Sequence, residues 1–494
     1  MRHQFRNIWI SIEVQTRNDL RALVGVGAEL RELGFVVSFH SGKIGHIPVR
    51  NWMAEYRPDV LVLRGMSWGF RYMSYFDANT GGEYRPLIII IPAEFTYSVF
   101  SPEIRKELHR KPTNREVGSS IDLVLCIHQE EKQFITDTWS SISDSTVIPV
   151  GLPAFDRFAH QQPSKEDSKR IIGIPEADIA RNIVLIASRS ATADYENEER
   201  HLNMLRRAKE FMGTPPEYVK QVIQFHVLLS ICFISATKEL AKNCPDTIFC
   251  FKPHPAENEN RYQEAFAGIE NIRIIKSSGV SMTDLILIAD LLIGYRCGSF
   301  LEASIANVPI VNFKPELVDD TGNKFELAYK AHPQSFDNLA RWTVNHPRQL
   351  VDLCSKYVSL DESGFKEYRT VISSGGLKLE NMIGLLDGKS SQRAAGEIAK
   401  LLDQSSRCRD NQSNIRNKDR LFLAKATNRA YLTGYFQPYR IRTNAFSSIR
   451  HIILILLKRL KKNVRKVFYF KSSDSTNPIN VEDEMQAYLN NRRM

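Results

Sequence analysis

Two consecutive α/β domains, each a parallel sheet with helices on both faces, followed by a basic helical tail, are predicted for this chain. Three observations predict them. Short runs of branched apolar residues alternate with helical patterns along the first three quarters of the sequence. Those runs are continuously apolar rather than alternating, which means burial on both faces of a strand, as in a parallel sheet. A length of 494 residues exceeds one ordinary domain, and 43% hydrophobic and 10% aromatic content suffices for two cores.

The elements follow in order. The stretch "IWISIEV" (8–14) reads as a buried strand. "NDLRALVGVGAELRELG" places Leu20, Leu23, Val24, Leu30 and Leu33 near helical spacing and stops at Gly34. "FVVSF", "DVLVLRG", "PLIIIIP" and "IDLVLCI" supply four more strands, and the sheet ends near "TVIPVG" (146–151). This first domain spans 1–158. The polar, proline-containing stretch 159–181 is expected to be a linker. A second series, "NIVLIAS", "TIFCFK", "IRIIK", "LLIGY" and "IVNF", builds a nucleotide-binding domain over 182–400 with closing helices. Between its first two strands lies a long helix, apolar nearly all round and interrupted by Gln224 and His226, which reads as a core helix with His226 a satisfied core histidine.

Composition excludes some classes of function. The seven cysteines (126, 232, 244, 250, 297, 354, 408) show no Cys-x-x-Cys pair and no zinc spacing, the usage of a reduced cytoplasm. No leader peptide and no membrane-spanning run are expected. The net charge of +10 sits in the tail: residues 405–494 hold 19 Lys and Arg against 6 Asp and Glu, leaving the first 404 residues near −3. A core that binds nucleic acid is therefore not expected.

Ligands of doubly wound sheets bind beyond the carboxyl ends of the strands, so chemistry is sought there. After "NIVLIA" come Ser188, Arg189 and Ser190. After "TIFCF" come Lys252 and His254, the latter held on a stiff corner between Pro253 and Pro255. After "LLIGY" come Arg296, Cys297, Gly298 and Ser299, running into a helix. Lys252, His254 and Arg296, with the amides at Gly298 and Ser299, form a candidate anion pocket that needs no metal. Glu302, one turn into that helix, is a candidate for a ribose diol. The alternative reading makes Ser299 the N-cap and Glu302 its capping-box partner. In the first domain Glu94 and Glu13 fall at strand ends and are candidates for general base, Glu94 ahead. Arg189 and Asp194 in the loop 188–203, and the aromatic loop 65–76, border the same cleft or are plain surface loops.

Here the chain resembles a known family. "SIEVQTRNDLRALVGVGAELRELGFVV", "IDLVLCIHQEEKQFI", "PVGLPAFDRF", "FKPHPAENENRYQEAFAGIENIRII" and "ADLLIGYRCGSFLEASIANVPIVNF", in this order over about 5–345, are similar to bacterial surface carbohydrate biosynthesis proteins. These are GT-B glycosyltransferases, two Rossmann-like domains facing a cleft, related to Kdo transferases and polysialyltransferases. The resemblance implies transfer of a sugar from a nucleotide donor, CMP-linked in that group, to a lipid-linked or growing glycan, with no other cofactor. It matches His254 and Ser299 to donor-phosphate contacts and Glu302 to the ribose contact. The family's acidic pair followed by glycine is replaced here by "IIIIPAEFTYS", which keeps only Glu94.

In the tail, "IRHIILILLKRLKKNVRKVFYFK" (449–471) lines Ile449, Ile452, Ile453, Leu456, Leu457, Leu460, Val464, Val467 and Phe468 along one helical face, with Lys and Arg on the rest. Such a helix is expected to lie on an anionic inner-membrane surface, each cation adding about 1 kcal/mol. The expected location is cytoplasmic and peripheral. Two other readings stay open: a nucleotide-activated polyol-phosphate transferase on the same fold, and a non-enzymatic protein that binds polyanions through its tail.

Overall fold

The computed structural model describes residues 7–12, 17–41, 58–63, 86–91, 121–138, 142–160, 164–190, 216–254, 257–276, 280–319, 322–325, 334–358 and 383–404. Glu13, Glu94, Asp194, the aromatic loop 65–76 and the tail segment 449–471 lie outside them.

The first sheet is built from β1 (Asn7–Ile12), helix α1 (Arg17–Glu32), β2 (Val36–Ser41), β3 (Val60–Leu63), β4 (Leu87–Ile90), β5 (Leu123–Cys126), helix α2 (Gln129–Thr138) and β6 (Val147–Pro149). All pairs are parallel, in the order β2-β1-β3-β4-β5-β6. Helix α1 ends where the sequence places its stop. Gly34 takes φ +90, its amide donates to the Arg31 carbonyl, and the Phe35 amide donates to the Leu30 carbonyl. Gly27 lets α1 lie against Phe39 of β2: a Cβ there would stand 2.3 Å from the ring.

A 3-10 helix (Pro153–Ala159) and α3 (Lys165–Ile171) lead into the second sheet. The expected linker is in fact folded onto this second domain. Ile174 and Ile179 join its core. Lys169 is buried and donates to the carbonyls of Ile179 and Arg181, and Lys165 pairs with Asp290. Its polar composition reflects cations that reach buried carbonyls, a use that composition does not distinguish from solvation.

The second sheet contains β7 (Asn182–Ala187), α4 (Pro216–Asn243), β8 (Thr247–Lys252), α5 (Glu259–Ala265), β9 (Ile272–Ile274), α6 (Met282–Ile288), β10 (Leu291–Gly294), α7 (Ser299–Ile305), β11 (Ile310–Phe313) and β12 (Trp342–Val344), followed by α8 (Pro347–Val358). It too is wholly parallel, in the order β12-β11-β10-β7-β8-β9. Helix α4 has 28 residues, about 42 Å at about 1.5 Å per residue, and by length and composition alone is able to cross a membrane. Phe225, Leu229, Phe233, Ala236 and Leu240 are instead buried with residues of β7, β8, β10 and β11, as expected for a core helix.

The last described helix, α9 (Ser390–Gln404), corrects the expected boundary at residue 400. Ala394, Ala395, Ile398 and Leu402 are buried in the core of the first domain, with Ile8, Val24 and Val62. Asp156, in the 3-10 helix, accepts the amides of Ser390 at 2.9 Å and Ser391 at 2.7 Å, and Arg393 donates to the Val150 carbonyl at 2.8 Å. The chain thus returns to the first domain to close it. Nothing local distinguishes a helix that packs on the preceding strands from one that packs 200 residues back.

Candidate nucleotide site

The topology selects one place in the second sheet. From β7 the chain proceeds outward to β8 and β9, then returns to β7's other side for β10, β11 and β12. The carboxyl ends of β7 and β10 are therefore the point where strand order reverses, where ligands of such sheets sit. The three loops that follow β8, β7 and β10 are neighbours there, and they carry His254, Arg189 and Cys297.

Arg189 follows β7. Its Nη1 is buried and has no hydrogen-bond partner, and no carboxylate among the described residues pairs with it. Burial pulls its guanidinium pKa below the ordinary value, and the Arg296 charge adds to this. Ser190 beside it is fully buried, with a hydroxyl that also lacks a partner.

The two other expected cations are engaged elsewhere. Lys252 donates to the carbonyl of Lys276 at 2.6 Å and ties β8 to the chain beyond β9. Arg296 is buried with φ +38, a left-handed backbone that non-glycine residues rarely adopt. Its Nε donates to Asp337 Oδ1 at 2.7 Å, its Nη2 pairs with Asp337 Oδ2, and its amide donates to Asn312 Oδ1. Burial pulls the guanidinium pKa down, but the Asp337 hydrogen bonds outweigh it and leave the value raised. Arg296 is therefore neutralised in place, a correction to its expected role as an open phosphate cation.

His254 is exposed. Even so, the surrounding protein desolvates it and, with the Arg189 charge, pushes its imidazole down to about 4. His226 of α4 is buried, and burial first, then the Arg189 and His254 charges, push its imidazole down to about 3. It is a core residue, as expected. Both imidazoles are neutral at pH 7.

These loops are held by a carboxylate that sequence reasoning passed over. Glu257 is buried, accepts the Ser188 hydroxyl at 2.7 Å, and also accepts the Ser190 amide and the Tyr262 hydroxyl. Its own amide donates to the His254 carbonyl at 2.8 Å. Glu257 thus joins the end of β7 to the corner that carries His254. Its signal was visible only as an acidic residue three positions after His254.

At the third loop, Gly298 is the N-cap of α7, with no side-chain cap hydrogen bond, so the capping box does not form. The Ser299 hydroxyl lies 2.7 Å from Cys297 Sγ, and burial raises the Cys297 thiol, which keeps it protonated. Glu302 is buried and accepts the Thr283 hydroxyl of α6 at 2.6 Å. Ser188, Arg189, Lys252, His254, Arg296, Gly298 and Ser299 thus gather at adjacent strand ends, with Glu302 one turn behind. Among the described residues no cluster of three or more His, Cys, Asp or Glu is able to hold a metal ion.

Known proteins were compared with this chain. No family model and no curated protein matches. Solved structures do. The wall teichoic acid polymerase TagF, solved with CDPG, is 12% identical over 81% of this chain and 89% of its own, at a TM-score of 0.50. UDP-GlcNAc 2-epimerase from Neisseria meningitidis, bound to UDP-GlcNAc, is 12% identical over 80% and 100%, at 0.44. The enzyme of that name from Methanocaldococcus jannaschii, with UDP-GlcNAc and UDP, is 12% identical over 80% and 99%, at 0.42. At such identities the likeness speaks to the fold alone: this chain has the GT-B architecture of two parallel α/β domains.

Proposed function

We propose that this chain is a nucleotide-sugar-dependent glycosyltransferase of bacterial surface polysaccharide assembly. Its donor is a CMP-linked acidic sugar such as Kdo, and its acceptor a lipid-linked or growing glycan. It works without a metal, on the cytoplasmic face of the inner membrane, held there by residues 449–471. The observation that carries the reading is Arg189, a buried guanidinium with no carboxylate partner among the described residues, placed at the switch point of the second sheet beside His254. A buried cation left unpaired is costly, and an anionic ligand relieves that cost.

In the transfer, an acceptor hydroxyl attacks the anomeric carbon while the bond from that carbon to the phosphate oxygen breaks, leaving the electron pair on phosphate. Arg189 and the N–H of His254 meet that developing charge with donors already in place. A carboxylate of the first domain takes the hydroxyl proton, Glu94 ahead of Glu13. Glu302 is the ribose contact that the family resemblance implies.

A second reading shares the site and moves a polyol phosphate instead. The acceptor hydroxyl then attacks phosphorus and the nucleotide leaves as its monophosphate. The fold likeness to a polymerase solved with CDPG is what favours it. A thermal-shift screen with CMP, CDP, UDP and GDP, with and without their sugars, decides between the two. Stabilisation by CMP supports the first reading, and stabilisation by CDP-glycerol the second. Transfer that persists in a folded His254→Ala variant defeats both.

A further inference from the structure

Helices α6 and α7 are seated together in the core of the second domain. Leu285, Ile286 and Ile288 of α6 are buried in the same apolar cluster as Phe300, Leu301 and Ala303 of α7. Each helix nonetheless brings one polar side chain into that contact. Thr283 and Glu302 are both buried, and the Thr283 hydroxyl donates to Glu302 Oε1 at 2.6 Å. Burying a carboxylate among apolar side chains is costly, so this pair asks for an account.

The helix ends do not supply one. Gly298 caps α7 without a side-chain bond, and Glu302, four positions on, lies one residue past the place of a capping-box partner. Helix α6 is capped by Ser281, whose hydroxyl accepts the Asp284 amide at 3.1 Å. Thr283 is the second residue of α6, with no earlier turn of that helix to offer a carbonyl to its hydroxyl. What surrounds it is firmly held. The Asp284 carboxylate accepts the Ser281 hydroxyl and pairs at 2.9 Å with Arg157, in the 3-10 helix that leads from the first domain. A β-branched side chain on so fixed a turn has a stiff χ1, which sets the direction of its O–H.

This direction matters for what Glu302 is able to accept. A carboxylate takes about four hydrogen bonds, and Thr283 occupies one position on Oε1. The hydroxyl is a neutral donor, so it orients the group and leaves its charge in place. An oriented carboxylate accepts two neighbouring O–H groups together, the arrangement of a ribose diol, whereas a deoxyribose offers it one. We infer that Thr283 is a positioning residue of the donor site: by fixing the Glu302 carboxylate toward the sugar diol it makes the protein select ribonucleotides over deoxyribonucleotides. This rests on the nucleotide-dependent reading above, with Glu302 as its ribose contact. Thr283 itself touches no ligand and acts through Glu302.

Titration calorimetry of the full-length protein tests this with CMP and CDP, each beside its 2′-deoxy and 3′-deoxy counterparts. Wild type is expected to favour the ribonucleotide over at least one deoxy form by about tenfold or more, because the missing hydroxyl leaves a buried acceptor unmet. Thr283→Val, which keeps the branched shape, is expected to lose at least about threefold of that preference, the worth of one hydrogen bond, and Thr283→Ser to retain it. A tie between helices with no part in binding would weaken every nucleotide alike and leave the ratio unmoved. The losses of preference in Thr283→Val and Glu302→Gln are expected not to add in the double variant, as for two residues that act through one contact. Should Thr283→Val fail to fold, Thr283→Ala set against Thr283→Ser makes the same comparison.

A ribo-to-deoxy ratio in folded Thr283→Val equal to that of wild type overturns the inference, as does a wild-type ratio near one. Either result leaves the transferase reading standing, since wild type binds the nucleotide in both. A wild-type protein that binds neither CMP nor CDP sinks that reading and this inference with it.

Discussion

The hydroxyl of Ser188, at the end of β7, donates to Glu257 Oε2 at 2.7 Å across 69 residues of sequence. The same carboxylate takes the Ser190 amide and the Tyr262 hydroxyl, so one buried acid fixes Arg189 between two anchored neighbours. The site's geometry depends on this carboxylate, although it is not itself proposed to touch the ligand.

Replacing Glu257 by Ala strands three buried donors. A loss of about 2–4 kcal/mol in unfolding free energy is expected, each unmet donor costing about 1–3 before relaxation. Glu257→Gln keeps an acceptor for the Ser190 amide and is expected to lose about half as much. Urea unfolding measures both, and nucleotide affinity is expected to fall in the same order.

Asp337 offers a pH test. Burial raises its carboxyl, but the Arg296 hydrogen bonds and charge outweigh this and hold it below the ordinary range. A depressed folded pKa means stability that is present above the unfolded value and lost as pH falls through the folded one. Asp337→Asn is therefore expected to lower stability at pH 7 by about 2–4 kcal/mol, since Arg296 is left buried without its counter-charge. It should also flatten the acid limb of stability below about pH 4. An acid limb identical to that of wild type contradicts the pairing.

Asp156 is predicted to hold α9 on the first domain through the amides of Ser390 and Ser391. Asp156→Ala should cost about 1–2 kcal/mol, as for a lost helix cap, and raise amide exchange over 390–404 before the strands exchange. Burial outweighs these hydrogen bonds and raises the Asp156 pKa. Its ionisation therefore works against stability as pH rises through the folded value. Asp156→Asn, which keeps an acceptor without the charge, is expected to retain more stability at pH 7 than Asp156→Ala.

Gly294 closes β10 where a Cβ would stand 2.9 Å from Phe300 and 3.0 Å from Cys297 Sγ. Gly294→Ala is expected to cost about 1–3 kcal/mol by overpacking and to weaken nucleotide binding by displacing the Cys297 loop. Gly396 of α9 has nothing within 4 Å of its would-be Cβ, so Gly396→Ala should stabilise by about 0.5–1 kcal/mol. Thermal melts of the pair check both signs.

Much of this was legible in residue order. Eleven of the strands lie on the apolar runs read from the sequence, and Thr247–Lys252 matches "TIFCFK" residue for residue. β12, whose Trp342 is half-buried, Thr343 exposed and Val344 buried, lies at a sheet edge and carries no such run. The candidate residues were legible by the same logic, because polar residues that end a buried strand have few other reasons to be there. Which of those cations stays unpaired was not legible. Arg296 meets Asp337 41 positions away, and nothing near either residue announces the other.

By itself, then, the order of residues determined two parallel sheets and the strand ends that matter, since burial on both faces and helix stops are written locally in side-chain type. The tertiary structure alone decided that Arg189 is buried with no carboxylate partner among the described residues while Arg296 meets Asp337, and that α9 belongs to the first domain. Charge compensation and packing depend on distance in space, and folding sets that distance between residues the sequence holds far apart.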